Sequence, residues 1–188
     1  MIDKIKNALN SNTGIFLFGS LIGLIFFALF YGLAIVNPAN TSWIWQPITH
    51  DTAQHFLGWQ FFRADSTGAT INGLAAPYGL SIVFMDVIPL LALIFKPFAS
   101  ILPTNFQYFG LWGLTCYMLM GGFAAVLINR LWMRICQGYA GVGHTILRCL
   151  FVAAGSLIFV LSPMVMARSF YHPALAAHWL ILLGFLII

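Results

Sequence analysis

The chain of 188 residues is 61% hydrophobic and only 6% charged, with a formal charge of +4 and no glutamate. An ordinary soluble domain has about a quarter of its residues charged, so this composition excludes one and makes lipid the solvent. The basic residues are too few and too scattered for nucleic acid, and Cys116, Cys136 and Cys149 form neither a CxxC pair nor a metal spacing. In hydrocarbon the backbone must satisfy its own hydrogen bonds. The apolar runs are continuous rather than alternating, which selects helices over a barrel. The expected fold is all-α, a polytopic helical membrane protein.

The first apolar run, 14–36, is 23 residues without a charge, after Lys4 and Lys6. A spanning helix needs about 20 residues, whereas a signal peptide's apolar region is about 7–15. Gly19 and Gly23 form a GxxxG spacing that predicts a close helix contact. Residues 107–128 and 149–167 read as the second and third spans, the latter with Pro163 near its end. A fourth span, 174–188, follows Pro173, a residue suited to a first helical turn. It stops apolar and uncapped, which predicts the N-terminal fragment of a longer protein.

Segment 79–98 is long enough to cross, but Asp86, Pro89, Lys96 and Pro97 interrupt it. Lys and Arg collect in cytoplasmic loops, which offers a test. If the segment does not cross, Lys4, Lys6, Arg130, Arg134 and Arg148 lie inside, and Arg63, Lys96 and Arg168 lie outside. A crossing would divide them four against four. The asymmetry favours a segment that dips into the interface and returns. Residues 37–106 are then one external loop with interfacial helices, facing the same side as loop 168–173, and the N-terminus is cytoplasmic. Trp43 and Trp45 are expected as interfacial anchors, and GYAGVG at 138–143, which lacks a P-loop lysine or serine, as a turn.

The stretch THDTAQHFLGWQFFRAD, residues 49–65, holds two of the four aspartates and two of the five histidines. Read as a helix, it sets Asp51, Gln54, His55 and Gly58 on one arc, with Ala53, Phe56 and Leu57 mostly opposite. Asp51 and His55 become the candidate catalytic pair, and Gly58 leaves open space beside them. In the plainer reading, Asp51 caps the helix and His55 simply pairs with it. Two ligands one turn apart fall short of the three that catalytic zinc usually takes from protein. Asp86 is an expensive carboxylate in an apolar run. It contacts substrate, pairs with Lys96 or caps the break at Pro89. Arg168, His172 and His178 lie where the third span exits and the fourth begins, and Arg168 anchors the interface or holds a phosphate. The expected substrate-contacting set is Gln54, Arg63, Asp86, Arg168, His172 and His178.

The order of elements resembles the N-terminal module of the C-type glycosyltransferases (the GT-C fold), which include protein mannosyltransferases, aminoarabinose transferases and oligosaccharyltransferases. More closely, DTAQHFLGWQFFR, SIVFMDVIPLLALIFKPF, FQYFGLWGL and HPALAAHWLIL resemble an uncharacterised family of bacterial multi-pass proteins thought to share that fold. The close resemblance covers most of 50–188. It implies that Asp51 matches the superfamily's first-loop acid, which acts as base toward the acceptor or as part of a metal site. APYG at 76–79 sits where those enzymes carry a proline-rich segment. Thr52 replaces the second acid of their usual Asp-Glu pair, and His172 stands where many carry an acid. The implied function is transfer of a sugar from a polyprenyl-phosphate-linked donor to an external acceptor at the bacterial inner membrane. A divalent metal fits the resemblance, but these residues assign none. A transporter or flippase for a lipid-linked or anionic substrate, and a non-catalytic membrane scaffold, are the other readings.

Overall fold

The computed structural model describes residues 11–46, 50–65, 68–137 and 141–188. Lys4, Lys6 and the first half of the expected 138–143 turn lie outside them. In chain order the helices are α1 (Asn12–Phe30), α2 (His50–Ala64), α3 (Pro89–Phe95), α4 (Phe109–Ile135), α5 (Val142–Val160), α6 (Pro163–Ser169) and α7 (Trp179–Ile187). A two-stranded antiparallel ribbon, β1 (Thr70–Ile71) with β2 (Leu80–Ser81), separates α2 from α3 and pairs Thr70 with Ser81. The chain divides into two units. The first comprises Met1–Leu33, Leu114–Met166 and Ala177–Ile188, and the second comprises Ala34–Gly113 and Ala167–Ala176.

Among the described residues three helices, α1, α4 and α5, are long and apolar enough to cross a membrane. Their boundaries differ from those the sequence predicts, and each shift has a local cause. Ser11 caps α1 by accepting from the Gly14 amide at 2.9 Å. The helix ends at Phe30 rather than Val36, because Gly32 turns into the left-handed region and Leu33–Val36 form a 3-10 turn. At 27 residues, α4 measures about 40 Å, against a hydrocarbon core of about 30 Å. Its last turns carry Arg130 and Arg134. Helix α5 begins seven residues before the expected Cys149, and so takes in Arg148, expected in a loop. The Arg148 guanidinium is buried and donates from Nε to Asn129 Oδ1 at 2.7 Å.

The expected third span, 149–167, is two helices. Leu161 and Ser162 break the chain, because a residue before proline is disfavoured in α geometry, and Pro163 opens α6. The fourth run is divided as well. Pro173 starts a 3-10 turn, and the α-helix begins only at Trp179. Segment 79–98 is broken into β2, a 3-10 turn, a bend at Met85–Val87, α3 and a further 3-10 turn at Lys96–Phe98. Val83, Phe84, Leu90, Leu93 and Ile94 are exposed along it, a distribution that suits a segment lying against lipid.

In the first unit α1 meets α4 backbone to backbone. A Cβ on Gly19 would strike the Gly121 carbonyl and Ala125, and one on Gly23 would strike the Tyr117 carbonyl. Such small-residue contacts are how helices gain van der Waals energy in lipid, where burial of apolar surface drives little. Ile15, Ala125, Val126 and Val152 form the core beside this contact, and the Tyr31 and Tyr117 hydroxyls bond at 2.8 Å.

Gly19→Leu forces a side chain into the Gly121 backbone, and overpacking of this kind costs about 1–3 kcal/mol. The expected result is a lower thermal midpoint in detergent, while Leu17→Ala, at a position 60% exposed on the same helix, leaves the midpoint unchanged. Equal midpoints for Gly19→Leu and the native chain would refute the close α1–α4 contact.

Candidate functional site

The second unit is organised around α2. Thr52, His55, Phe56, Trp59 and Phe62 are buried, whereas Gln54, Leu57, Phe61 and Ala64 are exposed. The buried positions recur at three and four residues, the period of one helix face. This face differs from the expected polar arc: Gln54 falls among the exposed residues with Leu57, and His55 joins the aromatic core. Trp59 Nε1 donates to the Phe106 carbonyl at 3.1 Å and packs edge-on against Tyr108. Gly58 faces no open space. A Cβ there would lie 2.5 Å from Val87 Cγ1 and 2.9 Å from Met85 Cε, so the absent side chain lets the 85–87 bend close onto α2.

Loop 168–173 is tied to this unit by three side chains. Thr52 Oγ1 donates to the Phe170 carbonyl at 2.5 Å, and Trp112 Nε1 donates to the Pro173 carbonyl at 2.7 Å. Asp51 Oδ2 is in direct polar contact with His172 Nδ1. Trp43 adds an edge-on contact with Phe170. It is therefore a packing residue of this loop, whereas Trp45 remains exposed. Buried carbonyls need donors, and Thr52 and Trp112 supply them where the loop touches the helices. The Asp51 and His172 side chains keep part of their surface open, at 34% and 47% exposure.

Asp51 thus pairs with His172 rather than with His55. One turn further along α2, His55 is 4% exposed, and neither ring nitrogen has a hydrogen-bond partner among the described residues. The ring stands edge-on to Phe109. Burial lowers its proton affinity. The Asp51 carbonyl, although not in hydrogen-bonding geometry, pulls the other way, as do the Asp86 and Asp51 carboxylates, and His172 adds a small opposing push. His55 is therefore a neutral ring beneath the pair.

The remaining expected site residues have distinct placements. Arg63 donates to the carbonyls of Pro103, Thr104, Ala99 and Leu102 and lies over the Trp59 ring, so its guanidinium holds the 99–104 turn. Asp86 is exposed in the bend before α3, within electrostatic reach of His55. It does not pair with Lys96, whose Nζ instead donates to the Phe62 carbonyl at 2.7 Å above the Phe62 ring. The break at Pro89 is made by Ile88, which holds φ 56° while its carbonyl accepts from Leu91 and Ala92. Arg168, in the last turn of α6, is half-buried and makes no side-chain hydrogen bond among the described residues. His178 belongs to the first unit, at the start of α7. APYG at 76–79 forms the exposed tip of the ribbon. Among the described residues no three His, Cys, Asp or Glu side chains come together as metal ligands.

Two positioning residues escaped sequence reasoning. Thr52 was legible only as a missing acid, although its spacing to His55, Phe56 and Trp59 marks the buried face. Gln107 is fully buried, donating to the Ile35 and Asn37 carbonyls and accepting from the Gly110 amide, and so pins 33–38 at the start of α4.

A family model described as a domain of unknown function (DUF6311) matches residues 20–188. No curated protein and no solved structure matches the chain.

The buried neutral His55 makes stability pH-dependent. Its ordinary value is 6.5, and the folded chain lowers it. Well above 6.5 both folded and unfolded chains hold His55 neutral. As pH falls through that value the unfolded chain takes up a proton that the folded chain resists, so stability declines. In His55→Leu the drop in thermal midpoint between about pH 8 and pH 5 should be smaller than in the native chain. Equal drops would show that His55 is not held neutral.

Proposed function

The chain belongs to the DUF6311 family, and for it we propose a membrane glycosyltransferase acting on a polyprenyl-phosphate-linked sugar donor. The observation that carries this reading is the part-exposed Asp51–His172 pair, with half-buried Arg168 one turn before His172. A carboxylate held by an imidazole is a fitting proton acceptor, and a general base must lie within hydrogen-bond reach of the proton it takes. Asp51 accepts the proton of the acceptor's nucleophilic group as that group attacks the anomeric carbon. The bond from that carbon to the phosphate oxygen breaks, and polyprenyl phosphate leaves with the electron pair. Arg168 and His172 offset the charge that develops on the leaving phosphate. Gln54 and Asp86, both exposed on the second unit, are the further substrate contacts of this reading. His178 is left out of this proposal, and Arg63 serves it only by shaping the fold.

The exposed apolar residues of 83–94 suit a unit that works at the lipid surface, where a polyprenyl chain is dissolved. Coupled transport is less well supported, because α1, α4 and α5 carry no carboxylate. Placement at the bacterial inner membrane, with the N-terminus cytoplasmic, is part of the proposal.

In membranes holding the intact protein, Asp51→Asn should lower transfer from a polyprenyl-phosphate-linked sugar by about 10²–10⁴-fold at normal expression. Transfer retained in that variant would remove Asp51 as base. Unaltered substrate crossing sealed vesicles would replace transfer with transport.

A further inference from the structure

The two units differ in charge. The second carries Arg63, Lys96 and Arg168 against Asp51, Asp65 and Asp86, and is balanced. The first carries Lys4, Lys6, Arg130, Arg134 and Arg148 against Asp3 alone. Three of those arginines converge. A cavity of about 550 Å³ in the first unit is lined by Asn12, Asn129, Arg130, Met133, Arg134 and Arg148, a size within the range of small-molecule sites. Arg148 and Asn129 are only 7% and 6% exposed, and the bond between them fixes the guanidinium. Arg130 and Arg134 are exposed beside this buried pair, so the cavity offers guanidinium groups to a ligand with no carboxylate in its lining.

We propose that this cavity binds a phosphate-bearing anion, and that its occupant is the headgroup of an acidic phospholipid. Guanidinium groups present planar forks that match phosphate oxygens two at a time, and the Asn12 and Asn129 amides add neutral polar contacts. Arg130 gives one donor to the Leu186 carbonyl at 2.9 Å and retains others, since the group has five N–H donors. A second cavity, of about 430 Å³, shares Arg130 and Arg134 and is otherwise lined by Leu127, Ile128, Leu131 and residues 185–188. Polar and apolar cavities meeting at the same two arginines fit a molecule with a charged head and a hydrocarbon tail, which a free phosphate lacks. This site uses none of the residues assigned to transfer and stands or falls independently of that reading.

The test titrates the full chain, in a zwitterionic detergent, with phosphatidylglycerol, phosphatidylcholine and inorganic phosphate. Phosphatidylglycerol should bind most tightly, and the Arg130→Gln, Arg134→Gln double variant should bind it about thirtyfold more weakly. Both side chains are exposed, so the variant's thermal midpoint without lipid should match the native one. Should it fall, Arg134→Gln alone replaces the double variant, with an expected loss of about fivefold. Inorganic phosphate binding as tightly as the lipid would overturn the lipid occupant and assign the cavity to a free anion. Equal affinity for the two lipids, or unchanged affinity in the variants, would overturn the site.

Discussion

The second unit depends on the capture of one loop by two helices. Residues 170–173 are held because Thr52 of α2 takes the Phe170 carbonyl and Trp112 of α4 takes the Pro173 carbonyl, contacts spanning 118 and 61 residues of sequence. With both carbonyls fixed, His172 between them is left beside Asp51. The polar chemistry is thus set by hydrogen bonds whose first task is to satisfy buried backbone. Arg168 comes with the same loop. Without the two tethers, a carboxylate and an imidazole from distant parts of the chain would meet only at the full entropic cost of ordering the loop.

The same unit shows why its ionisable groups do different work. Arg63 and Lys96 sit among carbonyls that consume their donors, so their charge stabilises turns. His55, four residues after Asp51, is buried among Phe109 and the α2 aromatics with no hydrogen-bond partner for its ring among the described residues. Asp51, His172, Arg168 and Asp86 combine ionisable groups with access to solvent. The first unit reverses this arrangement. Its long helices pack through glycine and alanine, and its charge is gathered at the arginines of α4 and α5.

Much of the helical architecture was legible, because long uncharged runs have few alternatives in lipid. The helix ends were less so. Arg148 reads as a loop residue until Asn129, 19 positions earlier, is seen to satisfy it, and Gly32 and the Ser162–Pro163 step end helices that apolarity alone would continue. In the site, Asp51 and His172 were each identifiable as unusual residues, but nothing local couples them. The i, i+4 rule offered Asp51 and His55 instead. That rule ranks neighbours on an isolated helix, whereas burial of Trp59 and Phe62 decided which way α2 faces and drew His55 inward. Gly58 was misread for the same reason: a glycine in a polar arc suggests space, but here it marks the close approach of Val87.

The most direct test of this account is a double-mutant cycle on unfolding in mixed micelles, with Asp51→Asn, His172→Gln and the pair combined. A coupling of about 1 kcal/mol between the two positions is predicted, as expected for a part-exposed contact between a carboxylate and an imidazole. Additivity within about 0.3 kcal/mol would contradict it, because the loop would then be docked without joining His172 to Asp51.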